Sequence, residues 1–546
     1  MTTIEESVAT AALPSERVAP MLLHKVLTTF DLIAIMIGIV LFISNAPIMT
    51  GAGPSAYVYW GLGFLTFLIP GAIVTGQLGR MFPGEGSIYL WTHKALGPFL
   101  GFFAGFCAWF PGVLGLVATG DGALALLQQL VPQALTAPWQ QGVAIIAIIA
   151  FSCLLSVLRF RLTQTIINIV FACYASAILL VGVGGLFALL HGHIAPVNYA
   201  PRNFLPTPAT FTFYGTVILA LLGIEVPLNL GVEVKEERAV TRYLLWGSLC
   251  VMVAYLVGTF GVMTAVPLSD QGSPAAVAEA ISLGIGGPVG HVLGIIATLI
   301  FLSFFVFTTA VFNYTFARLL FVSGLDRRLP AVMGRVNHNG VPALAVLVQS
   351  ALSSLVTVGI FIVAPLTLKV LTPADLATVI YDVLQAALTV IWCVSMATLF
   401  VDVVVIRRKY RTHFERLQLA PTWVFYLCVT LGVLASAAGM IVTFTNPWTM
   451  LLSRALWNAG IGGLAALALA VGAGVYWLGR KEPPSRQVES QLAPPSASEP
   501  AASRADLTRA ALRENASAAG SFPSTEGGTD DSSLSSEEGQ PSIGDI

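Results

Sequence analysis

Glu225 and Pro227 stand two residues apart in the stretch LALLGIEVPLNLGVEVK, residues 219–235, with aliphatic residues on both sides. Both are costly in an apolar helix, because the acid must be desolvated and the proline removes a backbone donor that no water replaces. A carboxyl kept in such a place suits two kinds of chemistry: pairing with an ammonium group and carrying a proton. Asp121, in VATGDGALAL, has an equally apolar setting and is a candidate second cation site or proton carrier, with a hydrogen-bonded structural acid as the alternative. Tyr381 and Asp382 open another apolar stretch, either as outer-gate residues or as interfacial ones. Asp31 and Asp402 fall near helix ends, where water or basic neighbours reach them, and read as structural.

Other chemistries find little support. The six cysteines lie in apolar runs without CxxC spacing or a histidine partner, so they read as small buried hydrophobes and no metal site is expected. There is no GxxxxGK[ST] loop for nucleotide phosphates and no converging nucleophile–base set, so neither an enzyme nor a cofactor is expected. A net charge of −1 argues against a nucleic-acid partner.

The elements that must position these acids follow from composition. Of 546 residues, 56% are hydrophobic and 10% charged, against roughly 45–50% and 25% in soluble domains. A membrane-crossing helix needs about 20 apolar residues. That ruler predicts twelve, near 27–50, 56–79, 97–130, 140–158, 164–190, 209–234, 243–266, 289–322, 343–365, 375–405, 422–444 and 456–478. With this count all but Arg202, Lys369 and Arg454 of the 27 basic residues fall on the side of the termini, which the positive-inside rule makes cytoplasmic. The chain therefore reads as an all-α, multi-pass protein of the plasma membrane with three parts: a cytoplasmic segment 1–26, a twelve-helix domain 27–480 and a cytoplasmic tail 481–546. The tail is Ser, Pro, Ala, Gly and acid and is expected to be disordered. The N-terminal segment lacks a short apolar core with a cleavage site, so the first span is expected to be retained.

Two spans are interrupted halfway. The first, DLIAIMIGIVLFISNAPIMTGAGP, holds Ser44, Asn45 and Pro47; the sixth, TFYGTVILALLGIEVPLNLGVEVK, holds Gly223, Glu225 and Pro227. If five spans are repeated by the next five, these positions are equivalent and the second copy runs upside down. Paired interruptions in inverted halves, here about 27–190 and 209–405 with extra helices in 422–478, point to a binding site at the membrane midplane. The freed backbone groups are expected to line a wet cavity where a substrate or ion satisfies them. Ile43, Ser44, Asn45 and Ala46, with Gly223, Ile224 and Glu225, are thus candidate substrate-binding residues, and Glu225 and Asp121 are candidates for proton coupling.

Three stretches resemble the amino acid–polyamine–organocation superfamily of transporters: GAGPSAYVYWGLGFLTFLIPGAIVTGQLGRMFPGEGSIYLWTHKALGPFLGFFAGFCAWF, LLGIEVPLNLGVEVK and FARLLFVSGLDRRLPAVMGRVNHNGVPALAV. The resemblance runs over roughly residues 25–350. It implies a leucine-transporter-like fold of 5+5 inverted repeats plus two helices, and it adds Trp109, Phe312 and Asn313 to the substrate site. The superfamily's first span usually breaks at Gly-x-Gly, whose bare N–H groups grip a carboxylate; this chain has Phe42, Ile43 and Ser44 there.

The resulting expectation is a secondary transporter, monomeric or homodimeric, that moves amino acids or related amines through the bilayer with coupled protons, by symport or exchange. A polyamine or organocation transporter and a non-transporting receptor of the same fold are the alternatives. A major facilitator architecture is disfavoured by the short connection from Lys235 to Arg242, where a long central loop is usual.

Overall fold

Sustained apolar sequence leaves the backbone no partner but itself, so it forms helices. The computed structural model describes residues 12–479 except 159, 193–196, 273–274, 368–372 and 449–450. The tail 481–546, residues 1–11 and Lys369 lie outside the described residues.

A nine-residue helix, α1 (Pro14–Leu22), precedes two short helices, α2 (Thr29–Val40) and α3 (Asn45–Thr50). Ten helices among the described residues are long and apolar enough to cross a membrane. They are α4 (Ser55–Met81), α6 (Pro98–Leu130), α7 (Pro138–Val157), α8 (Arg161–His191), α10 (Glu237–Ala265), α12 (Gly287–Leu325), α13 (Ala343–Leu366), α14 (Val379–Lys409), α16 (Thr422–Thr445) and α17 (Arg454–Gly479). Between them lie α5 (Ser87–Leu96), α9 (Thr212–Ala220), α11 (Ala276–Ile285) and α15 (Arg411–Arg416). The chain is thus a helical, multi-pass membrane protein. The segments expected as spans one and six are not among the ten because each is broken: the first into α2 and α3, the second into α9 and a 3₁₀ segment, Val226–Glu233, itself kinked at Leu230 (φ −102°, ψ 29°).

Burial sorts the long helices into a centre and a rim. The most apolar stretch of α6 is 78% buried, whereas those of α7 and α17 are 28% buried and expose aliphatic side chains suited to lipid. Helix α6 packs most extensively against α12, with Gly112, Gly115 and Gly122 set against Phe316, Phe312 and Phe305. Small residues facing large ones let two membrane helices approach closely where lipid supplies no hydrophobic drive. Two cysteines depart from the buried expectation: Cys173 and Cys250 are exposed on the outer surfaces of α8 and α10, where a thiol meets lipid as an apolar group does.

Helix α2 begins in a reciprocal cap. Asp31 Oδ2 accepts from the Thr28 N–H at 2.8 Å, and Thr28 Oγ1 accepts from the Asp31 N–H at 3.4 Å. The strand-like residue before it pairs with the end of the other broken segment through a parallel bridge, Leu27–Val234. Lys235 N–H donates to the Leu27 carbonyl at 3.0 Å, and Leu27 N–H donates to that of Glu233 at 2.9 Å. The two interrupted segments are therefore tied at this end, called here the N-terminal face.

Candidate functional site

Between α2 and α3 the backbone leaves helical geometry at Leu41, with φ −96° and ψ 76°. Pro47 falls within the first turn of α3, where a missing N–H costs nothing, so it restarts the helix. The groups freed by the break are held by two tyrosines. Tyr174 Oη lies 2.8 Å from the Leu41 carbonyl and accepts from the Ile43 N–H at 3.0 Å. Tyr255 Oη lies 2.8 Å from the Val40 carbonyl and 3.2 Å from that of Ala220, and accepts from the Phe42 N–H at 3.2 Å. One hydroxyl thus bridges both breaks. The expectation that these groups await a substrate is corrected for Phe42 and Ile43: phenol hydroxyls, which suit a dry interior, already occupy them.

The second break follows Ala220. Gly223 adopts φ +101°, and a Cβ there would meet Trp392 Cζ2 at 3.0 Å, so only glycine turns the chain at this point without strain. Glu225 follows, 1% exposed. Its Oε1 accepts from Trp392 Nε1 at 3.2 Å, while Oε2 has no hydrogen-bond partner among the described residues. Tyr243 Oη reaches the Ile224 carbonyl at 3.4 Å.

Beside the breaks lies a cavity of about 440 Å³. Ile43, Ser44 and Asn45 line it from the first break, Ala220 and Leu222 from the second, Phe312 from α12 and Trp392 from α14. Asp121, Tyr381, Asp382 and Gln385 line it further along. Val277 of α11 and Trp448, after α16, carry it toward the face opposite α1. Its charged lining residues are both acids, Asp121 and Asp382, and its walls are rich in aromatic faces. Such a chamber attracts a compact cation through carboxylates and through the negative faces of its rings.

The N-terminal face is closed. Arg318 of α12, 1% exposed, pairs with Glu233 at the end of the 3₁₀ segment and lies 3.5 Å from Glu85 in the loop before α5. Glu85 Oε2 also accepts from the Val232 N–H at 3.2 Å. Burial pushes the Glu85 carboxyl up, and the Arg318 guanidinium opposes the shift. Helix α1 lies over this closure: Ser15 donates its N–H and hydroxyl to Asp326 at 2.8 and 3.0 Å, and Lys94 pairs with Glu16 at 2.9 Å.

Of the residues expected at the site, Ile43, Ser44, Asn45, Phe312 and Asp121 line the cavity. Ala46, Gly223, Ile224 and Glu225 are not in its lining; Glu225 contacts it through Trp392. Trp109 donates to Gln349 Oε1 at 3.0 Å, and Asn313 to Ser350 Oγ at 2.8 Å, so both join α6 and α12 to α13 behind the wall. Sequence reasoning missed Tyr174, Tyr255, Trp392 and the Arg318 cluster. Glu85 and Glu233 carried a signal, being acids next to apolar spans, whereas a tyrosine inside a span is indistinguishable from packing.

Comparison with known proteins places this geometry in context. A family model described as amino acid permease matches residues 27–466. The chain is 26% identical over 345 residues to an uncharacterized transporter of Legionella pneumophila, covering 60% of this chain and 72% of that protein. It is 26% identical over 379 residues to a probable GABA permease of Pseudomonas aeruginosa, covering 64% and 75%. With a probable agmatine/putrescine antiporter of Lactococcus lactis it shares 21% identity over 271 residues, covering 48% of this chain and 57% of that relative's length.

Proposed function

Because the chain belongs to the amino acid permease family, we propose that it is a secondary transporter that carries small ammonium-bearing molecules, amino acids or related amines, through the cavity beside its two broken helices. The observation that carries this reading is a chamber whose charged lining residues are Asp121 and Asp382, set between the interruptions at 41–44 and 221–225. Counting each broken segment as one crossing beside the ten long helices gives twelve, in two inverted sets of five (27–190 and 209–405) followed by α16 and α17. The basic N-terminal face is then cytoplasmic, in the plasma membrane, and the cavity opens outward. Rocking of the broken pair against the α6–α12 core would expose the site alternately to each side.

Within this class, one observation favours amines over zwitterionic amino acids. The N–H groups of Phe42 and Ile43, which an α-carboxylate would need, are occupied by Tyr255 and Tyr174. The names of two relatives, a GABA permease and an agmatine/putrescine antiporter, span both classes. Glu225, buried with one free oxygen behind Trp392, is the residue assigned to proton exchange, with Asp121 as a second carrier nearer the opening.

Uptake into proteoliposomes with and without an imposed pH gradient tests the function; binding without accumulation or exchange would instead describe a receptor. A thermal-shift screen against amino acids and amines tests the class, and stabilisation by amino acids alone would reverse the amine preference. Glu225→Gln is expected to abolish the response to the pH gradient while leaving the fold intact, and wild-type behaviour would remove it from the mechanism.

A further inference from the structure

A second cavity, of about 400 Å³, lies at the N-terminal face and is separate from the transport chamber. It is formed where α4 ends and α10 begins: Arg80 comes from the last turn of α4, Arg238, Thr241 and Arg242 from the start of α10, and Leu419 from the loop before α16. Glu237 is the acid on its rim, so three guanidinium groups face one carboxylate. Among the described residues, none of the three guanidinium groups makes a side-chain hydrogen bond or an ion pair. The N-terminal end of the α10 dipole adds further positive potential. Like charges gathered this closely call for an anion.

The surroundings indicate which anion. Along α10, Arg238 and Arg242 are followed on the same helical face, at steps of three and four, by Leu245, Trp246, Leu249 and Val253. These four side chains are exposed, at 64%, 54%, 44% and 43%. A basic floor with an apolar stripe rising directly from it matches a phosphate headgroup with its acyl chain above, and a soluble phosphate would have no use for the stripe. Basic pockets between helix ends on the side of an anionic leaflet are the usual place for such headgroups.

From this we infer that Arg80, Arg238 and Arg242 form a binding site for the phosphate of an anionic phospholipid, whose acyl chain lies along Leu245, Leu249 and Val253. The lipid would join α4 to α10 and neutralise the arginines.

Native mass spectrometry of the full-length protein in detergent tests it, with titration of phosphatidylglycerol, phosphatidylcholine or inorganic phosphate. Wild type is expected to retain phosphatidylglycerol in preference to phosphatidylcholine. Each of Arg80→Gln, Arg238→Gln and Arg242→Gln is expected to weaken retention roughly fivefold, and the triple variant on the order of a hundredfold. The pair Arg408→Gln and Arg416→Gln, basic residues elsewhere on this face, should leave retention unchanged. Equal retention of both lipids, or a triple variant that behaves as wild type, would overturn the site. Inorganic phosphate that displaces the lipid at matched concentration would reassign it to a soluble anion and overturn the lipid.

Discussion

Tyr255 does more for the first break than any residue within it. Its hydroxyl serves the Val40 carbonyl and the Phe42 N–H, while its ring stacks on Trp60 with centroids 4.2 Å apart. Tyr255→Phe keeps the stacking and removes the hydroxyl from the Val40 and Ala220 carbonyls, leaving the Phe42 N–H with only its 3.3 Å contact to the Val40 carbonyl, which costs about 1–3 kcal/mol. A lowered midpoint of thermal unfolding is expected, and an unchanged one would show that the break is held by other means. At this scale the sequence exposed Ser44, Asn45 and Glu225, because a polar residue inside an apolar run has to be accounted for. It could not expose Tyr174 or Tyr255, since an aromatic in a membrane helix packs as well without a partner for its hydroxyl as with one.

At the scale of elements, Gly223 decides where the second interruption turns. Its φ of +101° excludes side chains, so Gly223→Ala is expected to cost roughly 1–2 kcal/mol from backbone strain alone. A further loss comes from contact with Ile39 and Trp392. Thermal unfolding reads the sum, and a variant as stable as wild type would mean that the turn has another conformation. The docking of α1 brings a pH dependence. Burial pushes the Asp326 carboxyl from its usual 3.8 up to about 6, with the Ser15 hydrogen bonds opposing the shift. The unfolded chain therefore loses this proton first. The contribution of Asp326 to stability falls as pH climbs from 3.8 to about 6 and is level above that. Asp326→Asn should flatten that part of a melting profile taken across pH, and a slope that survives in the variant would assign it to another group. The interruptions were legible as prolines and polar residues in apolar runs. The resumption of the second segment as a 3₁₀ helix was not, because its eight residues carry no pattern that separates 3₁₀ from α.

For the whole molecule the decisive feature is the closure of the N-terminal face. Arg318 joins α12 to Glu233 of the broken segment and to Glu85 of the loop before α5, so three distant parts of the chain meet in one buried cluster. Arg318→Ala would leave two carboxyls buried together, at a cost of about 3–5 kcal/mol. It is expected to lower the unfolding midpoint by several degrees and to depress transport, with Arg318→Lys recovering part of both. A variant as stable and active as wild type would show that the closure does not depend on this ion pair.

The sequence alone determined that the chain crosses a membrane many times, where its helices run, and which two of them are interrupted. Hydropathy and proline act locally, and in a bilayer the backbone has no other way to satisfy itself. Only the tertiary structure decided which tyrosines complete the broken backbone, that Glu225 faces the chamber through Trp392, and that Trp109 and Asn313 serve the wall behind it. Those outcomes depend on the rotation of each helix about its axis, which is set by how glycines on α6 accept the rings of α12 and not by any pattern within one segment.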